Sequence, residues 1–188
     1  MSLNTIPRII IDMDGVLADT YFKFVDRYEE RFGRRPTREE LLGKKVYDLP
    51  GGADIRNGMY EEGFFRDVPI IEGAAEVVKE LYDNYEVFIV THCTEFRNSF
   101  IDKYEWLEEH LPFVHYSRIV FCGDKSIVHG DFCIDDKVRN LRLIGGTGLL
   151  FSSWDNALDD GGFHRVDSWR EIREYFRAEK RSIIAELG

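Results

Sequence analysis

Apolar positions come in short unbroken runs alternating with helically spaced stretches, and the runs all end in polar residues. Ile9-Ile10-Ile11 has no polar break, which reads as a strand buried on both faces, and it discharges directly into Asp12, Met13, Asp14 and Gly15. From 21 to 32, Phe22, Val25, Tyr28 and Phe32 recur at helical spacing until Gly33 ends the pattern. Thr37 with Glu40 has the capping-box spacing and predicts a short helix through Leu42. Pro50-Gly51-Gly52 marks a turn, and 53–60 a further helix. No buried strand intervenes before Glu86, so residues 20–69 read as a small helical cap inserted after the first strand, with 1–19 and 70–188 forming the core domain.

Downstream, the pattern settles into strand and helix in turn. Residues 72–82 are an amphipathic helix with Ala74, Val77, Val78 and Leu81 on one face. Strands are predicted at 87–90, 118–122, 131–134 and 147–151, and helices at 96–110, from about Val138, and from Trp169 onward, where Ile172, Phe176, Ile183 and Leu187 share a stripe. This alternation specifies an α/β fold, a Rossmann-like parallel sheet with helices on both faces. In such a sheet the strand ends share one edge, and these ends carry Asp12 and Asp14, Thr91 and His92, Lys125, and Asp135 and Asp136.

Composition narrows the partners. At 188 residues the chain fits one domain with a small insertion, and 44% hydrophobic content supports a real core. A formal net charge of −10 without a dense Lys/Arg run argues against polymeric nucleic acid. No apolar stretch approaches a membrane span and no signal-peptide pattern opens the sequence. Cys93, Cys122 and Cys133 are odd in number with no C-x-x-C pair, the usage of a reduced, cytoplasmic protein. His92, His115 and His129 lack metal-ligand spacing, which argues against zinc.

Asp12 and Asp14, separated by one residue, point to the same side of an extended backbone. Either a cation lies between such acids or one keeps its proton. Magnesium suits a site of one or two carboxylates that must also accept phosphate oxygens. A carboxylate approaching a phosphate faces repulsion of roughly 4 kcal/mol per unit-charge pair at about 4 Å and intermediate dielectric, which a metal and Lys125 offset. The bland alternatives are turn acids at 12 and 14, a solvated loop lysine at 125, and Asp135 or Asp136 capping the helix near Val138. Phe64 and Phe65 serve either core packing or stacking on a base, and Tyr47 is a weaker candidate.

The chain resembles the haloacid dehalogenase superfamily phosphatases: Asp12-x-Asp14-Gly15-Val16 matches their first motif, Thr91 the second, Lys125 the third and Asp135-Asp136 the fourth. Segments 12–19, 63–65, 87–91, 103–111 and 130–137 are similar to the 5′(3′)-deoxyribonucleotidases. That resemblance implies Asp12 as nucleophile and Asp14 as acid and base. It also implies a Mg²⁺ held by Asp12, the Asp14 carbonyl and Asp136 with Asp135 orienting the shell, and phosphate bound by Thr91 and Lys125. Three positions depart from the family pattern: His92 stands for a serine, Thr20 for an aromatic, and Gly123 for an arginine. His92 either donates to phosphate or narrows the pocket, and Thr20, Phe64 and Phe65 are the substrate-pocket candidates. The implied partner is a small phosphorylated substrate, a nucleoside monophosphate, with a homodimer as the assembly to test. The alternatives are a phosphatase for another small ester, or a non-catalytic phosphate-binding module.

Overall fold

The triple isoleucine forms β1 (Arg8–Ile11) in the interior of a six-stranded sheet. The computed structural model describes residues 6–187, with side chains through 181. The other strands are β2 (Glu86–His92), β3 (Ile119–Cys122), β4 (Phe132–Asp135), β5 (Thr147–Phe151) and β6 (His164–Val166), in the spatial order β3-β2-β1-β4-β5-β6. Every neighbouring pair is parallel. The helices are α1 (Thr20–Phe32), α2 (Arg38–Leu41), α3 (Gly52–Asn57), α4 (Ala74–Tyr82), α5 (Ser99–His110), α6 (Val138–Ile144) and α7 (Trp169–Leu187).

Alternation along β1 feeds two cores. Ile9 and Ile11 pack with Val77 and Val78 of α4, Trp106 and Leu107 of α5, and Ile172 and Phe176 of α7. Ile10 faces the opposite way, with Leu141 and Ile144 of α6. All three isoleucines are at most 2% exposed, and full burial of each stabilises the fold by about 1.5–3 kcal/mol. The α4 face is the one its spacing predicts. Of the α7 stripe, Ile172 and Phe176 are buried, while the side chains of Ile183 and Leu187 lie outside the described residues.

The helix ending at Gly33 forms as expected, and two features go beyond the sequence pattern. In α1 the buried residues are Thr20, Phe24 and Tyr28, an i, i+4, i+8 stripe, whereas Phe22 and Phe32 are 44% and 39% exposed. Aromatic residues occupy more than one side of this helix, so hydrophobic spacing alone does not select the buried face. The strand β6 is unpredicted, because His164-Arg165-Val166 is short and carries polar residues in two of its three positions.

The segment between β1 and α4 leaves and returns through adjacent points. Asp19 donates its N–H to Pro69 O at 2.8 Å, and Ile71 donates to Leu17 O at 2.8 Å. Between these points, Phe24, Tyr28, Leu41, Val46, Ile55, Phe64 and Phe65 form their own apolar cluster, joined by Phe96 from the β2–α5 connection. Thr37 and Glu40 form the expected capping box at α2.

Candidate active site

Strand order reverses at β1, whose neighbours β2 and β4 begin opposite halves of the sheet, and ligands of such sheets bind at the carboxyl ends of the strands beside that reversal. Ile11 lies in register with Ile134, so the next residues, Asp12 and Asp135, emerge side by side. Lys125, in the turn after β3, bridges them, its Nζ 2.8 Å from Asp12 Oδ1 and 2.7 Å from Asp135 Oδ2. All three are buried. Burial pushes the Asp12 carboxyl up to about 6 against the pull of Lys125, with Asp135 and Asp14 adding repulsion. Burial also opposes charge on Lys125, but the two carboxylates outweigh it and hold the ammonium charged. Lys125 is therefore no solvated loop lysine.

Asp14 is the more exposed acid, and its two oxygens differ. Oδ2 accepts from Lys103 Nζ at 2.5 Å and from Thr91 Oγ1 at 3.4 Å, while Oδ1 is buried without a partner among the described residues. Thr91 is fully buried at the end of β2, and its hydroxyl also accepts from Lys103 at 3.0 Å. His92 is exposed at the same edge, and its backbone carbonyl is the third acceptor of Lys103. Sequence reasoning passed over Lys103. Its signal was present: Ser99, Asp102, Lys103, Trp106 and Leu107 form one helical stripe, so two charged residues sit on a buried face.

Asp135 and Asp136 divide the work. Both Asp135 oxygens are engaged, Oδ1 by the Lys137 N–H at 2.8 Å and Oδ2 by Lys125, with Asn140 Nδ2 3.0 Å from each. Asp135 thus braces the entry to α6 through the Lys137 N–H and the Asn140 side chain, but it is not the helix cap: the N-cap is Lys137, and no side chain caps this helix. Asp136 Oδ2 accepts from Tyr21 OH at 2.7 Å and Lys137 Nζ at 2.8 Å, and both donors also reach Asp155. Its other oxygen, Oδ1, is buried and has no partner among the described residues. Gly15 permits this closeness: its φ is +75°, and a Cβ there would lie 2.8 Å from Asp136 Oδ2.

One oxygen from each of Asp12, Asp135 and Asp136 falls within 4.8 Å of the others, a donor set suited to a hard divalent cation. A divalent ion here would find Asp136 Oδ1 without a competing partner among the described residues, whereas binding to Asp135 would displace existing hydrogen bonds. In a magnesium titration followed by thermal shift, Asp136→Ala should therefore weaken apparent affinity at least about tenfold. Asp135→Ala should lower the metal-free melting temperature more than it lowers affinity; a larger affinity loss in Asp135→Ala reverses the assignment.

A cavity of about 110 Å³ reaches two of the four acids, Asp14 and Asp136; Asp12 and Asp135 do not line it. Its floor includes Asp14 and Asp136, its walls Phe24, Tyr47, Met59 and Phe65, and its rim Lys45 and Lys137. Thr20 lines it as well. Phe64 does not; it packs among the helices, 5.7 Å from Phe24 between ring centroids. A larger hollow of about 490 Å³ lies on the other side of Tyr21, among Arg38, Trp154 and Arg165, but none of the four acids lines it. Chemistry, not size, singles out the smaller cavity.

The sequence profile of a family described as 5′ nucleotidase, deoxy (pyrimidine), cytosolic type C, matches residues 4–181. The chain belongs to this family. Among its relatives, a Staphylococcus aureus (strain Mu50) protein is 41% identical over 170 residues, covering 89% of this chain and 94% of its own. The 5′(3′)-deoxyribonucleotidase of Bacillus subtilis (strain 168) is 35% identical over 170 residues, covering 87% and 95%. A haloacid dehalogenase family hydrolase from Deinococcus radiodurans R1, solved with bound phosphate and sodium, superposes with a TM-score of 0.64 at 16% identity over 91% of this chain and 95% of its own. At that identity the likeness is one of fold. Family membership makes the chain a phosphate monoester hydrolase, which removes the non-catalytic module from the readings.

Proposed function

We propose that the protein is a magnesium-dependent 5′(3′)-deoxyribonucleotidase, hydrolysing deoxyribonucleoside monophosphates through an aspartyl-phosphate on Asp12. The observation that carries this reading is the cavity whose floor is acidic and whose walls are aromatic, so that a phosphate ester reaching the acids lays its organic part against Phe65 and Tyr47. The family match and the name of the Bacillus subtilis relative favour the same substrate class. Three free, buried cysteines support a cytoplasmic setting.

An Asp12 oxygen attacks phosphorus, the bond from phosphorus to the ester oxygen breaks, and Asp14 gives that oxygen a proton. Water then attacks the aspartyl-phosphate, losing its proton to Asp14 and returning Asp12 as a carboxylate. Lys125 keeps Asp12 oriented and offsets the negative charge brought by the phosphate. Asp12, Asp136 and the Asp14 carbonyl would hold the magnesium ion, which when bound would supply further positive charge against that repulsion. The helices over residues 20–69 close the cavity as a cap, with Tyr47 and Phe65 compensating for the aromatic absent at Thr20.

The test is kcat/KM for the monophosphates of thymidine, deoxyuridine and deoxyguanosine and for the matching ribonucleotides, with and without Mg²⁺. Deoxyribonucleotides should be hydrolysed only with the metal. Base ranking should differ from that of relatives with an aromatic at position 20 and an arginine at 123, each such contact being worth on the order of 1 kcal/mol. Turnover of another small phosphate ester and none of these would leave only a magnesium phosphatase.

A further inference from the structure

Burying a charged side chain is costly unless its partners are close and complete, so a fully buried lysine next to a fully buried aspartate calls for an explanation. Lys103 is 1% exposed and Asp102 4% exposed, and both project from the same buried stripe of α5. The three ammonium protons of Lys103 have three acceptors, Asp14 Oδ2 at 2.5 Å, His92 O at 2.7 Å and Thr91 Oγ1 at 3.0 Å. Saturated in this way, Lys103 has no proton left for a phosphate, unlike the lysine of the third motif, whose partners are Asp12 and Asp135. What it does is hold one oxygen of Asp14 and leave Oδ1 without a partner among the described residues.

Asp102 faces the other component of the site. It accepts the backbone N–H groups of Gly63 and Phe65, each at 3.2 Å. The ring of Phe65, a wall of the substrate cavity, lies under the Lys103 ammonium at 4.8 Å. One turn further on, Trp106 Nε1 donates to Val68 O at 2.7 Å and fastens the same strip of chain again. Consecutive residues of one rigid helix thus grip the acid and the wall.

We propose that α5 is the positioning element of the hydrolysis: Lys103 fixes the Asp14 carboxyl with Oδ1 free for the leaving oxygen, and Asp102 sets Phe65 at a constant distance from it. The inference rests on Asp14 as the general acid. A leaving group seated against Phe65 meets a proton donor whose rotamer is already selected, so alignment is built into the fold and not assembled at each turnover. Lys103 acts through Asp14 and touches no reacting atom.

The experiment compares Lys103→Met with Asp14→Asn and with the double variant, on thymidine 5′-monophosphate and on p-nitrophenyl phosphate, whose leaving group needs little protonation. Lys103→Met should lower kcat on the nucleotide at least about 10-fold more than on the aryl ester, and in the Asp14→Asn background it should add less than about 3-fold. Equal losses on both substrates, or losses that multiply in the double variant, would overturn the proposal. Lys103→Met leaves Asp14 Oδ2 with only the Thr91 hydroxyl; should it fail to fold, Lys103→Arg keeps the charge, misplaces Asp14 and must show the same substrate split. If Asp14→Asn shows no split, the acid assignment falls and this inference with it. If Asp14→Asn splits and neither Lys103 variant does, only the positioning role is lost.

Discussion

Asp12→Asn should cost on the order of 10⁴-fold or more in kcat on every substrate while leaving the melting temperature nearly where it was. An amide cannot accept the phosphoryl group, and the acids flanking Asp12 are engaged elsewhere, Asp14 by Lys103 and Asp135 at both oxygens. Stability is spared for an electrostatic reason. Burial and the neighbouring acids raise the Asp12 carboxyl, so between the ordinary aspartate range and about 6 the folded chain binds more protons than the unfolded one, and above about 6 the ionised side chain detracts from stability. The amide removes that penalty, offsetting the loss of the contact with Lys125, which retains Asp135. Activity assays beside thermal melts at pH 7.5 check both halves; turnover near the wild-type rate would end the covalent mechanism.

Lys125→Ala should do the opposite, damaging fold and catalysis together. Removing the cation between two fully desolvated carboxylates typically costs about 3–5 kcal/mol, or roughly 6–20 °C in melting temperature for a chain of this size. The loss depends on pH with a definite sign. Burial already raises Asp12 and Asp135, and without Lys125 both rise further. Groups with raised folded pKa values lose stability as pH climbs from the unfolded carboxylate range through those values. The variant should thus lie closer to wild type at pH 5 than at pH 8, in differential scanning melts at matched ionic strength. A deficit equal at both pH values would mean that Lys125 matters for packing and not for charge.

How far the sequence reveals this site depends on the range of each interaction. The acids at strand ends are legible because a buried run followed by polar residues is a local pattern, and Asp12, Thr91, Lys125 and Asp135 all follow such runs. The Lys103–Asp14 pair is not, since it joins residues 89 apart along the chain through strand order and register that no local pattern contains. Tyr21 and Asp155, 134 residues apart, meet for the same reason. The fate of Phe64 and Phe65 is subtler. Adjacent identical side chains must diverge, but which one faces the cavity is decided by Asp102 holding the backbone N–H of Phe65. The short strand β6 is formed by its pairing with β5, not by any propensity of His164-Arg165-Val166.

The position of β1 matters for synthesis as well as for chemistry. Its partners begin at Glu86 and Phe132, so a nascent chain carries an unpaired strand with three consecutive isoleucines until those segments emerge. At about 5–20 residues per second that exposure lasts several seconds, long enough for edge-to-edge association with other chains. Arg8 precedes the isoleucines, and Asp12 and Asp14 follow them. Charges flanking an apolar strand oppose its stacking on copies of itself. On this basis Asp12 and Asp14 also flank the strand as gatekeepers before any site exists, and neutralising both should lower the yield of soluble protein as well as activity.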